Sequence, residues 1–347
     1  MKKTGIFFTI LITLIVNHLS LLSQSIDNDE IAIQSFNMAL DNISSEQYME
    51  ALSSLNTALS VKPDFAEALV ERGKVNYKLG YYDNALNDLT SALAYIPENG
   101  MIYYLLGFVK YHISNFEAAL EDFNMALSYG YMKDQAFYYL GLINYYTFNY
   151  TEAIMNFDAS LEVSPGNAKC MHDRGMAKYQ QGDREGALMD FTDAINYDPN
   201  LAIAYNSLAV LNIDNLLYDI ALQNLDVATT LEPENPMYFN NRGKAKYMNG
   251  DYTGAAEDFQ LAVSMNSANA VYYNNLGIAK ANLEQIDEAI TYFSKAISLN
   301  SGYGIAFLNR GNAKESIGEF SGACDDWREA SSLGVYQAED YIAECVY

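Results

Sequence analysis

Beyond the first 25 residues the chain carries two histidines, His112 and His172, so general-base work or metal ligation would fall on them. Each is isolated in the sequence. Cys170 stands beside His172, but one thiol and one imidazole are too few ligands for a metal site. No glycine loop of the phosphate-cradling kind, no nucleophile elbow and no His-rich zinc motif is present. Carboxylates are abundant, with 44 acidic against 20 basic residues and a formal net charge of −24, and in so acidic a chain they read as a solvated face. The expectation is that the protein is not an enzyme and holds neither cofactor nor metal. The same charge repels nucleic acid and anionic membrane surfaces, which excludes nucleic acid as a partner.

Against this background a basic stretch, "RGKAKYMNG" from Arg242 to Gly250, asks whether it is an arm for an anionic partner. Its relatives "RGKVNYKLG", "RGMAKYQQG" and "RGNAKESIG" show that it is one copy of a recurring element. Sixteen residues after the arginine of each copy comes an aspartate: Arg72 with Asp88, Arg174 with Asp190, Arg242 with Asp258 and Arg310 with Asp326. These are expected to pair as charge-assisted clamps within a repeat, the alternative being a ligand role.

The elements that would position these residues follow a strict period. Counting from Ala32 in a frame of 34 residues, the twentieth position is alanine nine times, from Ala51 and Ala85 to Ala323. The eighth is glycine in seven copies, with Ala39 and Ala209 as the exceptions, and the twenty-fourth is always large and apolar, as in Leu55, Phe123 and Trp327. Small residues let two helix backbones approach, and the large side chain fills the gap beyond them. Pro63, Pro97, Pro165, Pro199 and Pro233 share the thirty-second position and Pro236 a first position, so no proline falls inside a helix.

With this pattern the chain resembles the tetratricopeptide repeat (TPR) family, whose unit is a 34-residue helix–turn–helix, over nine copies and essentially all of the mature length. The fold expected is all-α, an alpha-alpha superhelix. Its repeats run 32–65, 66–99, 100–133, 134–167, 168–201, 202–235, 236–269, 270–303 and 304–334, after a lead of 26–31 and before a C-terminal capping helix at 335–347. The first repeat departs from the pattern, with Ser35 where an aromatic usually stands, which predicts loose packing there. The sixth has Leu216 where others have a turn glycine.

The resemblance implies a groove lined by first helices. Carried onto this chain, its positions are Tyr104, Phe108, Tyr111, Tyr138, Leu142, Tyr145 and Tyr146, an aromatic patch, followed by Asn206, Asn240 and Asn274 with Asn241, Asn275 and Asn309, and Lys244 among them. The asparagines are similar to the ladders by which some peptide-binding members hold an extended backbone. The alternative is that tyrosine and asparagine merely fill the repeat.

Cys324 and Cys345 flank Gly334 at ten and eleven residues, so a chain reversal there would bring the sulfurs level. A disulfide stapling the cap is one reading and two small buried residues the other. Residues 1–25 read as a signal peptide: Lys2 and Lys3, an apolar run from Ile6 to Val16, then small residues. Asn17 and His18 end the run short of a membrane span, so none is expected after cleavage. The protein is therefore expected to be a bacterial export, periplasmic or secreted, that binds a protein or an extended peptide without catalysis. A glycan- or lipid-binding envelope accessory and a non-catalytic subunit of an enzyme complex are the alternatives.

Overall fold

The computed structural model describes residues 27–343 and Cys345, and the expected signal peptide, 1–25, lies outside them. Among the described residues all regular structure is helical, and the chain divides into two compact units at Pro165 and Gly166. The first unit holds α1 (27–44), α2 (Tyr48–Val61), α3 (Ala66–Lys78), α4 (Tyr82–Tyr95), α5 (Gly100–His112), α6 (Phe116–Ser128), α7 (Lys133–Tyr146) and α8 (Tyr150–Val163). The second opens with α9 (Ala168–Gln181), α10 (Arg184–Tyr197), α11 (Ala202–Asp214), α12 (Tyr218–Leu231), α13 (Pro236–Met248) and α14 (Tyr252–Met265). It continues with α15 (Ala270–Asn282), α16 (Ile286–Leu299), α17 (Gly304–Ser316), α18 (Phe320–Ser332) and α19 (Ala338–Ile342). Within each unit a second helix packs on its partner and on the first helix of the next pair, and successive first helices touch.

The α13–α14 pair shows why these residues make this fold. Ala255, Phe259 and Ala262 recur on α14 at the spacing of one helix face and are buried, as are Tyr238, Phe239, Gly243 and Ala245 on α13. A Cβ on Gly243 would lie 2.8 Å from the Phe259 ring, and one on Gly141 would lie 2.5 Å from that of Phe157. Glycine is needed here for close approach, and the packed ring offsets the roughly 1 kcal/mol that a mid-helix glycine costs.

The turn joining the two helices of a pair is the same in every copy. Its fifteenth residue is left-handed: Gly80, Gly182, Gly250 and Gly318, but also Glu46, Ser114, Phe148, Leu216 and Glu284, with φ between 58° and 63° in those five. The cause lies in the hydrogen bonds that finish the first helix: the Leu217 N–H donates to Asn212 O at 2.8 Å, as the Tyr81 N–H donates to Asn76 O at 2.8 Å. Leu216 thus takes the glycine conformation and remains 68% exposed.

Two expectations are corrected. The first helix is not loosely packed: Ala39 is buried with Ala51 and Leu55, and the Phe36 ring lies 4.9 Å from that of Phe65. At the other end the cap does not begin as a helix at Val335: among its described residues the helix is Ala338–Ile342. The turn around left-handed Gly334 carries the chain through 336–337 before the helix starts, and Val335 and Ala338 are buried against Trp327 and Ala330. No described helix is long and apolar enough to cross a membrane.

Candidate functional site

The four arginine–aspartate pairs form, each with two hydrogen bonds. Arg72 Nε and Nη2 donate to Asp88 Oδ2 and Oδ1 at 3.0 and 2.6 Å. The same fork joins Arg174 to Asp190 (2.9 and 2.5 Å), Arg242 to Asp258 (2.9 and 2.7 Å) and Arg310 to Asp326 (2.8 and 2.5 Å). The four aspartates are buried, so the pairs tie the two helices of a repeat together.

Sequence reasoning missed a third partner at the eleventh position. Lys178, Lys246 and Lys314 reach the same carboxylates, 2.9, 2.8 and 2.8 Å from Oδ2 of Asp190, Asp258 and Asp326. Arg242 and Lys246 of the basic stretch therefore converge on one buried anion. The third repeat has Leu106 in place of the arginine, and Asp122 is met by Lys110 alone at 2.6 Å. Burial pushes the Asp122 carboxyl above its ordinary range, with Lys110 opposing.

The asparagines form rungs between successive first helices of the second unit. Asn241 Nδ2 donates to Asn206 Oδ1 at 2.8 Å, Asn275 Nδ2 to Asn240 Oδ1 at 2.8 Å and Asn309 Nδ2 to Asn274 Oδ1 at 2.9 Å. Each rung runs from a fifth position to the sixth of the next copy, 35 residues on. His172 and Ser207 occupy the same two positions one copy earlier, with Nε2 and Oγ 3.0 Å apart, while His172 Nδ1 is 2.9 Å from Asp173 Oδ1. His172 is thus not isolated. The contact order Ser207–His172–Asp173 is that of an acyl-transfer relay, yet Ser207 lies inside α11, where backbone N–H groups are spent on the helix. The recurrence of the rung in three further copies explains the cluster. A parallel set joins twelfth to thirteenth positions: the Tyr179 hydroxyl donates to Asp214 Oδ2 at 2.6 Å, and Asn282 Nδ2 to the Tyr247 hydroxyl at 3.1 Å.

Each asparagine rung consumes one oxygen and one N–H. Nδ2 of Asn206, Asn240 and Asn274 and Oδ1 of Asn241, Asn275 and Asn309 are left over by the rungs, and none of them is among the buried side-chain atoms without a partner, of which Asn76 Oδ1 is one among the described residues. Beside the first rung lies a cavity of about 190 Å³ lined by Met176, Tyr179, Phe191, Val210 and Met237. Beside the third lies one of about 320 Å³ lined by Tyr247, Ile278, Ile286 and Phe293. Lys244 is exposed on α13.

Among the aromatic residues of the first unit, Tyr104 is placed differently from expectation. Tyr104 is buried and its hydroxyl donates to Gln135 Oε1 at 2.8 Å. Burial raises its pKa. Around it an unforeseen residue, Tyr139, organises the cluster, with centroids 5.3 Å from Phe108, 5.2 Å from Tyr111, 5.4 Å from Phe123 and 5.7 Å from Tyr138. Tyr104 is therefore core and not a groove contact. Phe108, Tyr111, Tyr138 and Tyr145 are half-buried, and Tyr146 is exposed. His112 packs among Tyr77, Phe108 and Tyr111.

Cys324 and Cys345 are bonded, their Cα atoms 5.8 Å apart, and the buried Trp327 stacks on Tyr341 with centroids 5.1 Å apart. Cys170 is buried and lies outside the disulfide.

Family models described as tetratricopeptide repeat match residues 36–100, 213–270 and 270–303. The chain is a tetratricopeptide-repeat protein. Among solved structures, this TPR chain is similar to a tetratricopeptide repeat protein from Parabacteroides merdae, 23% identical over 72% of this chain and 99% of that one, with a TM-score of 0.58. It is also similar to a structure described as a functional characterization of pilF of Pseudomonas aeruginosa, 18% identical over 61% and 97%, TM-score 0.55. Yeast Tom70 aligns over 90% and 88% at 16% identity and a TM-score of 0.50. At these identities the likeness concerns the fold. No curated protein sequence matches the chain.

Proposed function

We propose that the second unit binds an extended peptide across its first helices, and that the protein is an exported, non-enzymatic scaffold. The observation that carries this reading is the stoichiometry of the asparagine rungs. Each leaves one amide donor and one acceptor that the rung does not use, the pair a peptide group needs, with Asn240, Asn241, Asn275 and Asn309 half-buried and Asn206 and Asn274 buried beneath them, and a β-extended backbone cannot satisfy itself. The two apolar cavities beside the rungs support it by offering room for side chains of the bound segment. The charge of −24 favours a basic peptide, whose association weakens as salt rises. Export rests on the signal-peptide pattern and agrees with the disulfide.

A variant separates binding from stability. Asn240→Asp retains the oxygen that holds Asn275 and replaces the spare donor by an acceptor. Peptides selected by phage display on the wild-type chain are expected to bind this variant at least tenfold more weakly, with an unchanged melting temperature. Selected peptides that bind both proteins equally would place the site elsewhere, and recovery of carbohydrate or lipid alone from native culture fluid would favour the accessory reading.

A further inference from the structure

The repeats serve as controls for one another, and the second repeat differs from its siblings around its arginine–aspartate pair. Where repeats five, seven and nine have lysine at the eleventh position they have glycine at the nineteenth: Lys178 with Gly186, Lys246 with Gly254 and Lys314 with Gly322. The lysine stem runs over that glycine, since a Cβ on Gly186 would lie 3.0 Å from Lys178 Cδ and one on Gly322 would lie 3.3 Å from that of Lys314. The second repeat has Asn76 and Asn84 instead. Asn76 Nδ2 takes the lysine's place on Asp88 Oδ2 at 2.8 Å, and this leaves Asn76 Oδ1 buried without a hydrogen-bond partner. In place of the lysine stem there is a cleft of about 420 Å³ between α2, α3 and α4.

We propose that this cleft binds a neutral polyhydroxylated ligand, a sugar residue. Charge argues for neutrality: Arg72 and Asp88 cancel each other, and the ammonium that would add a net positive charge in the sibling repeats is missing. The remaining polar groups are carboxamides. Asn56 is tied through Oδ1 to Arg72 Nη1 at 2.9 Å and keeps its N–H groups, while Asn84 and Asn87 on exposed turns of α4 present both kinds of group. A vicinal diol donates and accepts at such spacing, and one of its hydroxyls supplies the donor that Asn76 Oδ1 lacks. Tyr81, 45% exposed at the rim, gives an aromatic face of the kind on which a sugar ring stacks. The site is in the first unit and is independent of the peptide reading.

The test is saturation-transfer NMR on the full chain with glucose, galactose, mannose and N-acetylglucosamine as probes, and methylamine as the charged control. Transfer to at least one sugar is expected, with binding lost in the double variant Asn76→Lys/Asn84→Gly. That variant carries the residue pair of three sibling repeats and so should keep the fold. Tyr81→Ala, on the exposed rim, is expected to weaken binding about tenfold and provides a second reading should the double variant melt early. No transfer from any sugar, equal transfer in the variants, or transfer from methylamine alone would each overturn the proposal.

Discussion

Successive first helices are joined mainly by ring contacts in the first unit and by side-chain hydrogen bonds in the second, on one and the same 34-residue frame. From the fifth position to the sixth of the next copy, Tyr104 faces Tyr139 with centroids 6.3 Å apart, whereas Asn206, Asn240 and Asn274 accept from amides. From twelfth to thirteenth, Tyr77 lies 5.4 Å from His112 in one unit, while Tyr179 donates to Asp214 in the other. Ring contacts use up area, and the hydroxyl of Tyr104 is itself spent on Gln135. Amide rungs use half of their capacity, which is why a ladder can be structural and still recognise a backbone. The difference teaches that position alone does not define a TPR groove residue: its neighbour 35 residues away decides how much of it is left.

Four measurements break or sharpen the contrast. The largest effect is expected from truncating the hub of the ring-joined unit: Tyr139→Ala should cost about 4 kcal/mol in urea titrations, against about 1 kcal/mol for Asn275→Ala, whose partner oxygen can turn to water. Equal losses would erase the distinction.

Next come the buried ion pairs. Arg72→Met leaves Asp88 with a single neutral donor, Asn76, and should cost about 3 kcal/mol. In Arg174→Met the ammonium of Lys178 still neutralises Asp190, so roughly half of that is expected by the same reasoning. A larger loss for Arg174→Met would show that the lysine does not share the clamp.

The third concerns pH. The Asp122 carboxyl is raised by burial, so the folded state holds its proton more tightly than the unfolded chain. Its stabilising contribution is therefore full below the ordinary carboxylate value and is lost as pH rises through the folded one. Melting curves of Asp122→Asn should show a shallower decline than the wild type from acid toward neutral pH. Parallel curves would refute the role of Asp122.

The smallest effect belongs to the turns. Leu216→Gly relieves a left-handed leucine while adding freedom to the unfolded chain, for a net gain of about 0.5 kcal/mol. A loss on calorimetry would mean that Leu216 has a packing role its exposure does not suggest.

Most of the architecture was legible because its determinants lie within a single copy. The glycine at the eighth position and the ring at the twenty-fourth meet inside one helix pair, as do Arg242 and Asp258, and a comparison of aligned copies exposes both. The site was less legible because its contacts cross between copies. Tyr104 was expected at the surface since its position is a groove position, but the burial is imposed by Tyr131, Gln135 and Tyr139 of the following turn and helix. The lysines on Asp190, Asp258 and Asp326 could have been found, since each lies four residues after its arginine, one helical turn along the same face. The rungs could have been found by pairing residues 35 apart instead of 34.

The single tryptophan of the sequence, Trp327, stands where the last repeat, the stacked Tyr341 of the cap and the Cys324–Cys345 bond meet. Indole emission from this molecule is consequently the spectrum of one place. Without any label, its colour and lifetime report whether the end of the chain is closed, and the rest of the protein is silent at that wavelength.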